Sequence, residues 1–231
     1  MPKGDPSVTT VDRCYYCNER VGKSNLKKCS KCQFVRYCSH ACQKAAWPMH
    51  KHACDMATTF YQDPAEHGMA GYIDAFNKWL DCWRGTIFAQ GIYALDLANH
   101  PPDRLATHVV FILVARNEPA PAERERYFKV IGAEVLSREE RAVALRDLGV
   151  SQRQVDELDR DERGDYTIQV TLVAEGHTRM LWCSYRNLAK YRDIDKGMSA
   201  GLAAEWQQVF IEQVASGYPG LHNDIAAPED E

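Results

Sequence analysis

No run of apolar residues in this chain approaches the roughly 18 that a membrane-spanning helix requires. The longest, Val109 to Ala115, is strand-sized, so no membrane association is expected. Residues 1–12 are polar and carry Pro2, Gly4 and Pro6. They lack the apolar stretch of a secretory leader and read as a disordered N-terminus. Cysteine is nearly absent from most of the sequence: outside residues 14–54, Cys82 and Cys183 stand alone. Secreted domains stapled by disulfides seldom carry a cysteine-poor bulk of this size, which points to a reducing intracellular compartment, nucleus or cytoplasm. Catalytic signatures are missing too. There is no phosphate-cradling glycine loop and no nucleophile elbow. Neither Cys82 nor Cys183 has a sequence cue for an activating histidine. No catalytic residue is assigned, and the chain is expected not to be an enzyme.

Acidic side chains are scarce in one place only. Residues 13–54 hold nine Lys/Arg against a single acid, Glu19, a net +8, while the remainder carries 19 basic against 31 acidic residues, a net −12. The same segment holds the other seven of the nine cysteines, as Cys14-x2-Cys17, Cys29-x2-Cys32, Cys38-x3-Cys42 and His50-x3-Cys54. Zinc takes about four Cys or His ligands in a tetrahedron. Two intervening residues let a tight turn aim both thiolates at one ion, and three place a pair on adjacent helical turns. Four such pairs imply two closed sites and two zinc ions. Seven thiolates and two Zn²⁺ would bring the segment to a charge of about +5. Its few apolar side chains cannot build a core, so metal must supply most of its folding free energy.

Local signals within the segment are short. Gln33 to Tyr37 reads as a strand, the second half of a small hairpin. Ser39 is an N-cap, and Cys42 to Ala46 reads as one or two helical turns interrupted by Pro48. His50 and Cys54, four apart, share the face of a further helical turn.

Tyr37-Cys38-Ser39-x2-Cys42-Gln43-x3-Trp47-x2-His50-Lys51-x2-Cys54, after two Cys-x2-Cys pairs, resembles the MYND zinc finger. RING and LIM fingers differ in placing a histidine inside an internal pair. The resemblance implies interleaved ligands: Cys14, Cys17, Cys38 and Cys42 on one zinc, and Cys29, Cys32, His50 and Cys54 on the other. It also implies an adaptor that docks short proline-containing peptides beside the hairpin edge, in transcriptional regulation. Gln43 and Trp47 match the family positions that face the peptide, with Phe34 and Tyr37 sharing the groove. An unpaired hairpin edge and a pre-extended proline-rich chain suit that mode physically. Weak nucleic-acid binding through the basic finger is the second reading; few aromatics and an acidic body oppose it. Some MYND proteins add a SET-type lysine methyltransferase domain. Here the finger starts at residue 14 and Asn99-His100 precedes Pro101-Pro102, so that activity is not expected.

A boundary is expected between residues 55 and 70, at Asp63-Pro64 and Gly68. From Tyr72, apolar residues from Phe76 to Leu95 recur at helical spacing, giving one long helix or two broken near Gly85 or Gly91. Thr107 to Ala115 reads as a central strand and Tyr127 to Leu136 as a second. Ser137-x2-Glu140 and Ser151-x2-Gln154 are capping-box patterns for two short helices parted at Gly149. Tyr166 to Ala174 alternates, with Tyr166, Ile168, Val170 and Leu172 on one face, and pairs through Glu175-Gly176-His177 with Met180 to Tyr185. Gly201 to Ser216 is a last helix. The order implies an α+β fold: a finger over 13–55, an α+β domain with a mostly antiparallel sheet over 70–217, and an acidic tail over 218–231. This body is similar, diffusely, to the regions that follow MYND fingers in fungal proteins.

Overall fold

A computed structural model describes residues 14–17, 19, 21–32, 35–62, 70–159, 167–175, 177–184 and 188–219. The expected N-terminal segment 1–12, Phe34, Tyr166, Gly176 and the tail beyond Pro219 lie outside these residues. The chain divides into two compact units, one drawn from 1–85, 123–127 and 218–231, the other from 86–122 and 128–217.

The first unit opens with a two-stranded hairpin. Strand β1 (Lys27–Lys28) pairs antiparallel with β2 (Arg36–Tyr37), Lys27 opposite Tyr37 and Lys28 opposite Arg36. Ser39 then caps the helix as expected, its Oγ accepting from the Cys42 amide at 3.1 Å. That helix, α1 (His40–Gln62), runs straight through Pro48. The expectation of a helix interrupted at Pro48 is therefore corrected. Proline removes the amide that would bond to the Lys44 carbonyl, a cost of about 3 kcal/mol. Pro48 is exposed, so water can satisfy that carbonyl. Ligand residues on both sides of it, Cys42 before and His50 and Cys54 after, offer more free energy than the break costs: about 10–16 kcal/mol per structural zinc.

Helix α2 (Ala70–Leu95) is one uninterrupted helix, with neither Gly85 nor Gly91 breaking it. In the first unit it buries Phe76, Trp79, Leu80 and Trp83, with the Phe76 and Trp79 rings stacked at 6.0 Å. The Trp83 indole donates to the Glu125 carbonyl at 2.8 Å, which satisfies the one polar group of that buried ring. Arg36 of β2 donates to the Asp81 carboxylate at 3.0 Å, tying the hairpin to this helix.

The second unit is built on a four-stranded mixed sheet in the order β4-β3-β5-β6. Strand β3 (His108–Arg116) pairs antiparallel with β4 (Phe128–Ser137), with a bulge between Leu113 and Val114. Strand β5 (Thr167–Ala174) runs parallel to β3 and antiparallel to β6 (His177–Ser184). The sheet is mostly antiparallel, and β3 is internal, as its unbroken apolar run implies. The second half of α2 lies on one face, where a Cβ added to Gly91 would meet Ile168 and Val110 at 3.5 and 3.6 Å. A short helix, α3 (Arg104–Thr107), leads into β3. Helices α4 (Arg138–Asp147) and α5 (Gln152–Asp159) both open with reciprocal capping boxes, from Ser137 with Glu140 and Ser151 with Gln154. Gly149, at φ +83, turns the chain between them.

One expectation changes here, and the burial of β5 adds to what its alternation implied. Strand β5 is buried on both faces, Thr167, Gln169 and Thr171 as well as Ile168, Val170 and Leu172; alternation of polarity did not mean alternation of exposure. The last helix, α6 (Lys196–Ser216), starts ahead of Gly201 because Asp195 caps it, its carboxylate accepting from the Met198 amide at 2.8 Å. It ends on Gly217 in the left-handed region and packs along β4.

Candidate metal centre

The eight expected ligands fall into two groups. Cys14, Cys17, Cys38 and Cys42 form one; Cys29, Cys32, His50 and Cys54 form the other, and the ligand atoms within each lie within 4.8 Å of one another. The first group joins the turn at Cys14–Cys17 to the start of α1, and the second joins the turn after β1 to the middle of the same helix.

The donor spacing fits zinc. Tetrahedral bonds of about 2.3 Å to sulfur and about 2.05 Å to nitrogen require S···S separations of about 3.8 Å and S···N of about 3.6 Å. The sulfurs of Cys17 and Cys38 are 3.7 Å apart, those of Cys38 and Cys42 3.4 Å, and those of Cys29 and Cys54 3.8 Å. The Cys32 sulfur is 3.5 Å from His50 Nε2. Each group could hold one zinc, which would draw on its charge to keep the thiolates ionised.

Proton affinities within the groups show why a cation is needed. Burial pushes Cys54 up, with the neighbouring Cys32 and Cys29 adding to it. Cys38, held by hydrogen bonds to Cys42 and Cys14, is pushed up to about 12. Four thiolates in one group and three in the other, this close, cannot all ionise without a positive centre among them. The first cysteine of each Cys-x2-Cys pair departs from that trend. Burial raises Cys14, but backbone donors at Cys17, Cys38 and Tyr16 outweigh it and bring the thiol down to about 7. Cys29 is lowered in the same way, against burial, by the backbone of Cys32 and Lys31. The two tight turns thus supply amide donors as well as aim.

Around the second group the aromatics converge on His50. The rings of Tyr15, Tyr37 and Trp47 lie edge-on to its imidazole at 5.9, 6.1 and 6.1 Å. Tyr37 also meets Tyr15 edge to face at 5.9 Å. Tyr37, expected in a peptide groove, is only 1% exposed; its side chain belongs to the finger's interior and supports the ligand histidine. Trp47 is 37% exposed, and Gln43, one turn earlier on α1, is half-buried. Phe34 lies outside the described residues. Tyr15 carries no sequence signal as a packing partner of His50, since no spacing rule connects positions 15 and 50 before the fold is known.

Elsewhere among the described residues the chemistry is quiet. Burial pushes the Cys82 thiol up to about 12, and it donates to the Lys78 carbonyl at 3.2 Å; such a thiol is a poor nucleophile. Cys183 lies in β6, with its side chain outside the described set. A recess in the second unit, lined by Tyr93, Leu97, Tyr191 and Leu202 among others, has room for about one water molecule and not for a ligand. No helix among the described residues is long and apolar enough to cross a membrane.

Residues 14–54 match the MYND finger family model. The human protein named histone-lysine N-methyltransferase SMYD3 is 49% identical over 61 residues, covering 22% of this chain and 13% of that protein. A protein named histone-lysine N-methyltransferase ASHR1 from Arabidopsis thaliana is 40% identical over 58 residues, 25% of this chain and 11% of its own length. The Schizosaccharomyces pombe protein named SET domain and MYND-type zinc finger protein 6 is 44% identical over 48 residues, covering 21% and 10%. The chain thus spans only about an eighth or less of the length of these relatives. No solved structure matches the chain significantly. These names overturn the expectation that the chain is not an enzyme, because relatives it matches are named as methyltransferases. What they share with it is confined to the finger, and no activity comes across with that segment. Residues 14–54 are a MYND finger, a zinc-binding interaction module.

Proposed function

We propose that the finger, taken as residues 13–55, is the docking element of an adaptor that takes short proline-containing peptides, with the α+β body of 70–217 as its cargo or scaffold. The observation that carries this reading is Trp47, a large aromatic left 37% exposed although the finger has few apolar side chains with which to build a core. An exposed indole is a platform for proline rings. Gln43, four residues earlier on the same helix, offers an amide that can both donate to and accept from peptide backbone. Strand β1 pairs only with β2 among the described residues, so its outer edge can take an extended chain as a further strand. Both zinc groups hold this surface in shape, and Tyr37 supports it from beneath.

The setting we infer is transcriptional regulation, in the nucleus or cytoplasm; relatives named for histone-lysine methylation support it. The test is a peptide-array screen with full-length, zinc-loaded protein beside a Trp47→Ala variant. Selective capture that the variant loses while still holding two zinc ions is the expected result. Loss of zinc from the variant would assign Trp47 a structural role and remove the main support for docking.

A further inference from the structure

We propose that the peptide docked by the finger is acidic as well as proline-containing, with carboxylates flanking the proline. This rests on the docking reading above and names the chemistry of its partner. Strand β1 consists entirely of Lys27 and Lys28, both exposed. On α1, Lys44 and Lys51 are exposed on either side of Trp47 in sequence. At about 100° per residue, positions seven apart lie about 20° from one another around a helix, and Trp47 sits about 60° from Lys44 and about 40° from Lys51. Both ammonium groups therefore lie on one side of the indole around the helix, one turn before it and one turn after it along the axis.

None of these four lysines makes an ion pair among the described residues. Arg36 on the paired strand differs: it is bound to Asp81 at 3.0 Å. The fold uses that guanidinium for its own architecture and leaves the lysines to solvent. The one acid of residues 14–54, Glu19, is exposed and lies outside both β1 and α1. A neutral proline peptide would use the indole and the strand edge but none of this charge. Carboxylates flanking the proline would use both, and lysines suit flexible point-charge pairing of that kind. Phosphate could also use the charge, but the free strand edge and exposed indole favour an extended peptide.

The experiment uses the full-length, zinc-loaded protein and three fluorescent probes: a peptide library with one fixed proline flanked by three glutamates on each side, the same library flanked by glutamines, and a twelve-nucleotide oligo(dT). Titrations are run at 50 mM and 500 mM salt. The Glu library should bind about tenfold more tightly than the Gln library at low salt, as several weak exposed pairs together allow. That preference should shrink towards unity at high salt. It should also disappear in a Lys44→Gln/Lys51→Gln variant that still holds two zinc ions. Equal binding of the two libraries would overturn the acidic preference and leave proline docking standing. Binding of neither would overturn both. Tighter binding of oligo(dT) than of either library would replace the peptide by nucleic acid.

Discussion

Four of the eight residues in the finger's buried cluster are cysteines, the others being Leu26, Val35, Tyr37 and Ala46. The sheet unit instead buries Val109, Val110, Phe111 and Ile112 in succession on β3 and both faces of β5, with no metal-ligating group among its described residues. One region substitutes coordination for hydrophobic volume, and the other has volume enough to fold on burial alone. The contrast follows from size. Roughly forty residues cannot remove sufficient apolar area from water, whereas a unit three times as long can.

The sharpest way to break this comparison is to remove the metal. Metal analysis should find two zinc ions per chain, and excess chelator should collapse the finger's amide signals while those of the sheet survive. The free energy at stake is on the order of 10–16 kcal/mol per ion. A finger that stays folded after chelation would mean its small apolar cluster is sufficient. The converse substitution, Phe210→Ala, empties a fully buried site in α6 and should cost the sheet unit about 3–5 kcal/mol. Denaturant melts should show that loss with zinc content unchanged; a drop in bound zinc would tie the two regions together energetically.

Acid should also tell them apart. Burial, with Arg179 beside it, holds His177 down to about 3. Its folded value lies below the unfolded value of about 6.5, so this contribution to stability is complete above pH 6.5 and is lost as pH falls towards 3. By pH 5 the loss should be about 2 kcal/mol, at about 1.4 kcal/mol per pH unit. Comparing denaturation midpoints at pH 7 and 5 for the wild type and His177→Gln checks it: the variant's pH dependence should flatten. The smallest effect expected is in the finger. Pro48→Ala restores an amide in the middle of α1 and should gain about 1–2 kcal/mol, seen as a higher chelator concentration at half-unfolding. No gain would mean that the helix already accommodates the proline without loss.

What could be read from sequence differs between the regions for the same reason. Metal ligands declare themselves by spacing; their interleaving into two groups was implied only by the family resemblance, and the eight residues gather in those two groups. The body's elements were legible from periodicity, and the Ser137 and Ser151 boxes formed as their side chains dictate. The failures are cases where tertiary partners outweigh a local rule. Pro48 is a helix breaker by propensity, yet ligands on both sides of it belong to one helix. Tyr37 belongs to an exposed hairpin by position, yet His50 and Tyr15 draw its ring inward. Thr167, Gln169 and Thr171 have the polarity of an outer face and are nonetheless covered.

Helix α1 supplies Cys42 to one zinc group and His50 and Cys54 to the other. Whichever ion arrives first must order part of that helix, and helical order, once nucleated, propagates at little further cost. The second ion then meets ligands already held in place. The two sites should thus be thermodynamically linked, each raising the other's affinity by the same factor. Metal loading should accordingly be steep: chains with no zinc and chains with two should dominate, and singly loaded chains should be scarce. A cell short of zinc would hold fewer working fingers rather than many half-filled ones.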